Sequence, residues 1–160
     1  MTASEVKITF RGNGLTPEIA AWAAGFFEGE GSICIQRRTS SHSRFGVNYA
    51  LAVQVSQRRS KPLLVLCDHW GGYFHKVRTR GSYGWRISSA QAVNFLEDIK
   101  PYLWFRQELV QLALDFAHTK GAHGKPVTRE QLTQQEDFRN KIRQVNSPLS
   151  KNKISIEGEE

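Results

Sequence analysis

Two carboxylates, Glu28 and Glu30, stand two residues apart in the segment Ala23-Ala24-Gly25-Phe26-Phe27-Glu28-Gly29-Glu30-Gly31-Ser32-Ile33. Carboxylate oxygens are hard donors of the kind Mg²⁺ takes. Side chains two apart at a helix end diverge, so one chain offers one well-placed terminal carboxylate. Hydrolysis of a phosphodiester is the reaction that such a group, holding a divalent ion, would serve: the reaction needs an activated water, neutralisation of the phosphate and support for the leaving oxygen. Cys34 and Cys67 form no Cys-x-x-Cys pair, and the five histidines show no ligand spacing. Zinc is therefore not expected, and the thiols read as buried and free in a reducing compartment.

A second chemistry lies in the charge. The chain has 160 residues and a net charge of +7, yet positions 31–96 hold ten basic side chains (Arg37, Arg38, Arg44, Arg58, Arg59, Lys61, Lys76, Arg78, Arg80, Arg86) against the single acid Asp68. The remainder is slightly acidic, so the excess charge belongs to one middle segment. Arg, Gln and Asn are the side chains that pair with guanine and adenine edges in the major groove. Lysine alone would suggest phosphate contact only. Double-stranded DNA is thus the expected partner, and a solvated sheet face is the bland alternative. No apolar run reaches the ~18 residues of a membrane span, and Met1 to Arg11 lacks a hydrophobic leader. The expected setting is intracellular, a bacterial cytoplasm or an organelle, with no membrane partner.

The elements that must position these groups follow from period and punctuation. Thr16 can cap, and Pro17 and Glu18 suit the first turn, of a helix running to about Gly29. Ala21, Gly25 and Gly29 repeat every fourth position on one face. Glycine inside a helix costs ~0.5–1 kcal/mol relative to alanine, which close approach of another helix would offset. From Gly31 the period becomes alternating, with Ile33 and Ile35 on one side and Cys34, Gln36 and Arg38 on the other. Residues 39–44 read as an exposed connection, and Val47 to Val55 as a second strand that alternates with Asn48 and Gln54. Ser60 is expected to cap a helix ending at Trp70 before Gly71-Gly72. A second hairpin covers 73–80 and 83–88, with Lys76, Arg78, Arg80 and Arg86 expected on one outer face. A short helix from Ser89, an apolar helix from Tyr102 to Phe116 and a helix opened by the Thr128/Gln131 capping box and running to about Val145 complete the chain. Trp70, Trp104, Phe105 and Leu109 are expected in the core, and Trp85 either in the core or at a DNA-facing rim.

The fold class is therefore α+β, in the order αββαββα: an antiparallel four-stranded sheet with helices on one face and an added C-terminal helix. Residues 1–14 read as an N-terminal extension, 15–145 as one domain and 146–160 as a flexible tail. The segment from Ala23 to Ile33 resembles the signature of the LAGLIDADG homing endonucleases, with a small residue, glycine, two apolar residues, acid, small residue, acid and glycine in order. Glu28 and Glu30 stand where the signature has Asp. The resemblance extends over most of residues 15–117, including Gln54-Val55-Ser56-Gln57, the Gly72 to Gly81 hairpin and Ile99-Lys100-Pro101-Tyr102-Leu103.

The resemblance implies a site-specific, Mg²⁺-dependent DNA endonuclease that cuts both strands of a long pseudo-palindromic site and leaves 3′ overhangs. It implies Glu30 and the Gly29 carbonyl as metal ligands, with Gln57, Lys61 and Arg106 completing a polar catalytic pocket. Glu28 is read as structural. A single motif without internal repeat implies a homodimer packed through Ala21, Gly25 and Gly29. Base contacts fall to Gln36, Arg38, Gln54, Arg78, Arg80 and Arg86, with Arg37, Arg44 and Asn48 also in reach, and Lys76 joins them as a DNA-binding residue of the same outer face. An RNA-splicing maturase acting on host intron RNA, or a cleavage-inactive DNA-binding protein of the same fold, stands as the alternative. A structural ribosome-associated basic protein would need no acidic pair at a helix terminus.

Overall fold

The computed structural model describes residues 14–78, 81–121 and 125–147. Thr16 accepts the Ile19 amide at 3.4 Å and opens α1 (Pro17–Glu30). The helix stops where the Gly31 amide returns to the Phe27 carbonyl. A Cβ at residue 31 would lie 2.1 Å from the Phe27 ring, so only glycine lets the chain turn there from helix to strand. β1 (Gly31–Thr39) pairs with β2 (Val47–Gln57), with Gly31 opposite Val55 and Thr39 opposite Val47. After α2 (Ser60–Trp70) come β3 (Tyr73–Val77) and β4 (Ser82–Ser88), then α3 (Ser89–Ile99), a 3₁₀ turn over Lys100–Tyr102, α4 (Gln107–His118) and α5 (Arg129–Val145). The sheet is antiparallel throughout, in the order β1-β2-β4-β3.

One face of the sheet is apolar and carries the helices. Ile33, Ile35, Leu51, Val53, Val55, Trp85 and Ile87 meet Phe27, Leu63, Leu66, Phe95, Leu96 and Val110 in a single core. Phe95 lies edge-on to Phe27, Trp70 and Trp85, and each such aromatic pair adds about 0.5–1.5 kcal/mol beyond its area burial. Trp85 is therefore core rather than rim, with Nε1 donating to the Gly71 carbonyl at 2.8 Å. Beside it Gly72 takes φ +99°, and a Cβ there would fall 2.4 Å from Ile87 Cγ2 and 2.6 Å from the Arg86 carbonyl oxygen. The turn into β3 is thus held by a residue that must be glycine.

Three local expectations are corrected. Ser60 is the first residue of α2, not its cap; Arg59 takes that position without a side-chain bond. The apolar helix begins at Gln107 instead of Tyr102, because residues 103–106 form a turn tied to α1. That turn carries Trp104 and Phe105 out of the core, to 82% and 85% exposure. The Thr128/Gln131 capping box forms as read. α5 then docks on the sheet through buried Ile142, the Tyr49 hydroxyl donating to Glu136, and the Asn146 amide donating to the Ile33 carbonyl at 2.9 Å. Among the described residues no helix is long and apolar enough to cross a membrane.

Candidate functional site

The two acids at the end of α1 have different surroundings. Glu28 Oε1 accepts the backbone amides of Trp104, Phe105 and Arg106 at 2.7, 2.6 and 3.2 Å. This carboxylate therefore pins the turn before α4 to α1, the structural role read for it. Glu30, the last helical residue, is exposed and makes no hydrogen bond or ion pair among the described residues. A carboxylate at the negative end of a helix dipole is unfavourable, and no hydrogen bond or ion pair among the described residues offsets it.

Arg106 lies at the same helix end. Its Nη1 donates to the Gly31 carbonyl and, at 3.3 Å, to the Phe27 carbonyl, and its guanidinium sits 5.6 Å from the Phe27 ring centroid. Glu28 holds its backbone, so the cation is fixed twice. Gln57 is two residues beyond Val55, the partner of Gly31, which sets it at this end of the sheet. Its Oε1 accepts the Arg58 amide at 2.7 Å. Lys61 is exposed in the first turn of α2.

Along α1, Ala21, Gly25 and Gly29 are exposed, while Ala20, Ala23, Ala24 and Phe27 face the core. A Cβ built on Gly25 or Gly29 meets nothing within 4 Å. Neither glycine is required by this chain's own described packing, although each weakens the helix. Trp22 stacks on Phe26 next to this face, with ring centroids 5.4 Å apart.

The second candidate surface is the sheet face turned away from the helices. Alternation and register put Ser32, Cys34, Gln36 and Arg38 of β1, Asn48, Ala50, Ala52, Gln54 and Ser56 of β2, Gly84 and Arg86 of β4, and Tyr73 and His75 of β3 on it. None is acidic. Gln36 Oε1 accepts both Nε and Nη2 of Arg38, at 3.2 and 2.6 Å, so these two present a preformed unit. Burial pushes the Cys34 thiol up, against the opposing pull of Arg86 and Arg38, which lie to either side of it. Asn48 Oδ1 accepts from Lys120 at 3.0 Å.

Other candidates sit elsewhere. Lys76 is opposite Tyr83, on the helix side with Phe74 and Trp85, because register aligns Phe74 with Trp85. It does not share a face with Arg86. Arg37 is likewise on the helix side, opposite Tyr49, where its charge acts on Tyr49 and Glu136. Arg44 lies in the β1–β2 connection with its guanidinium 5.6 Å from the Phe45 ring, which Arg129 approaches to 5.7 Å. Arg78 follows β3 in an exposed turn, and Arg80 lies outside the described residues. Sequence reasoning missed Tyr73, His75 and the floor of small residues at 34, 50, 52, 56 and 84. Small side chains recurring at period two opposite one another were the available signal.

The donors at the end of α1 are oxygens, a carboxylate and the last-turn carbonyls that lack helical partners. That set fits a hard divalent cation. Among the described residues no three His, Cys, Asp or Glu side chains converge on a metal site. Further ligands would have to come from outside this set.

The sequence model of the LAGLIDADG endonuclease family matches residues 23–107. The chain is 32% identical over 102 residues to the DNA endonuclease I-CreI of Chlamydomonas reinhardtii, a match spanning 61% of this chain and 61% of that protein. Its fold is similar to that of the homing endonuclease I-CvuI in complex with a DNA target, with a TM-score of 0.69 and 19% identity over 79% of this chain and 80% of the other. The I-CvuI complexes were studied in the presence of Mg or Ca. An archaeal intron-encoded homing endonuclease complexed with DNA is alike to the same TM-score of 0.69, at 15% identity over 81% and 84% of the two chains.

Proposed function

Because the chain belongs to the LAGLIDADG endonuclease family, we propose that it is a homing endonuclease that acts as a homodimer on double-stranded DNA. It cuts both strands of a long pseudo-palindromic site and leaves 3′ overhangs. Glu30 is the observation that carries this reading: an exposed carboxylate without a partner among the described residues, at a helix end where a carboxylate is unfavourable. The DNA bound in the I-CvuI complexes, uncleaved in the one with Mg, and the Mg or Ca present with it support a DNA substrate and a divalent cation.

Two copies of α1 packed through Ala21, Gly25 and Gly29 would set their Glu30 residues side by side. The open space over both glycines supports that contact. Glu30 and the Gly29 carbonyl would hold Mg²⁺, which supplies Lewis-acid stabilisation of the phosphate and a more acidic water. Arg106 keeps a fixed positive charge at the same helix end, suited to a phosphate oxygen. Gln57 and Lys61 add an amide and a mobile cation for water and phosphate. Gln36, Arg38, Gln54 and Arg86 lie across an acid-free sheet whose small-residue floor lets a groove approach, and they read base edges there.

Incubating the purified protein with a plasmid library of candidate sites, in Mg²⁺ and in EDTA, tests this reading. Linear product from a particular sequence is expected with Mg²⁺ alone. Absence of any sequence-dependent cut overturns it.

A further inference from the structure

On the outer sheet face, His75 lies over Gly84. A Cβ on Gly84 would be 2.5 Å from His75 Cε1 and 2.6 Å from Nε2, so the imidazole occupies the place where a side chain at 84 would stand. Tyr73 stacks on it from the same face of the edge strand, at 5.2 Å between centroids and 19° between planes. The ring is thus held on two sides. Its Nδ1 is buried without a hydrogen-bond partner, the one such side-chain atom among the described residues. A buried ring nitrogen left unpaired carries a desolvation cost, and neither the core nor the helix layer gains from this arrangement.

An unpaired buried N–H is worse than an unpaired lone pair, so the neutral ring places its hydrogen on Nε2. That nitrogen is then a donor, carried by a fixed ring on the sheet face. The row it occupies, Ser56–Gly84–His75, is next to the row Ser32–Gln54–Arg86–Tyr73, on the side nearer Glu30. Two residues along a strand advance about 6.7 Å, roughly the rise of two base pairs.

We propose that His75 is a specificity-determining residue. Its Nε2 donates to an acceptor on a base edge about two base pairs closer to the cut than the bases met by Gln54 and Arg86. Guanine, with O6 and N7 side by side, is the favoured base, and cytosine, which offers a donor, is rejected. Gly84 is the positioning residue, since its missing side chain leaves room for the ring. This inference rests on the reading of the outer face as the DNA-reading surface.

The test is selection from a randomised duplex DNA pool by wild type, His75→Ala, Gly84→Ala and Arg86→Ala. Gly84→Ala retains the histidine and displaces it, so it separates loss of the contact from loss of a packed ring. Expected is a roughly fivefold or greater loss of base preference at one position per half-site. That position should be the same for His75→Ala and Gly84→Ala and lie on the cut-proximal side of the one relaxed by Arg86→Ala. A wild-type motif that His75→Ala leaves unchanged, or weakens evenly at every position, overturns the inference while the DNA-reading surface stands. A wild type that enriches no sequence removes that surface and the inference with it.

Discussion

Glu28 and Glu30 are one residue type two positions apart, and the structure gives them opposite effects on stability. Glu28→Ala deletes the acceptor of three backbone amides that join α1 to the turn before α4. A hydrogen bond to a charged group contributes about 1.5–3 kcal/mol net. Three amides share one oxygen and two belong to exposed residues that water reaches, so the loss is worth about two such bonds at the low end of that range, ~3 kcal/mol. Glu30→Gln removes a charge from the unfavourable end of the helix dipole and breaks no bond among the described residues. It should leave stability unchanged or raise it by ~0.3–1 kcal/mol. Urea unfolding followed by tryptophan fluorescence, at one fixed protein concentration because a dimer's stability depends on it, measures both. A Glu30→Gln protein destabilised by more than ~1 kcal/mol would show that Glu30 supports the fold. An unaffected Glu28→Ala would refute the anchoring of the turn.

Gly72→Ala combines a strained positive φ with a collision against Ile87 and the Arg86 carbonyl, and a loss of ~2–5 kcal/mol is expected in the same unfolding assay. Gly25→Leu, where a Cβ meets nothing in this chain, should leave the monomer folded and abolish the dimer in sedimentation; a dimer that persists contradicts the α1 interface. Glu136 is held below the ordinary carboxyl range, chiefly by the Tyr49 hydroxyl. A depressed carboxyl stabilises above its unfolded pKa, and that contribution is lost as pH falls through the folded value. Tyr49→Phe should therefore weaken the protein near neutrality, with the difference shrinking as pH drops below about 4.5; a gap constant with pH would speak against it. Burial, with Asp68 adding to it, pushes the Cys67 thiol up to about 11, so iodoacetamide at neutral pH should leave it unlabelled in the native protein and label it in urea.

What the sequence made legible was local chemistry. Thr16-Pro17 and the Thr128/Gln131 box mark helix starts because capping involves residues only three apart, and Ile33/Ile35 and Val53/Val55 mark a buried face by their period. The faces of the second hairpin were not legible. Alternation sorts each strand into two sets but does not say which set of β3 meets which set of β4; the pairing of Phe74 with Trp85 decides that, and it carries Lys76 to the helix side. Arg37 is a different case: alternation with Ile33 and Ile35 already sets it on the apolar side, and the structure keeps it there opposite Tyr49. Trp104 and Phe105 look like core residues by type, yet Glu28, 76 and 77 residues away, holds their turn outside. His75 could not be found from its own type, since only the register sets it over Gly84.

The catalytic assignment of Glu30 is the centre of the account, and cleavage by Glu30→Gln tests it most directly. The substrate is the DNA that the wild type cuts, with Mg²⁺ present, and binding of the same DNA is measured alongside. Binding is expected to be retained and cleavage of both strands to be lost. Cutting or nicking by Glu30→Gln at the wild-type rate would contradict it.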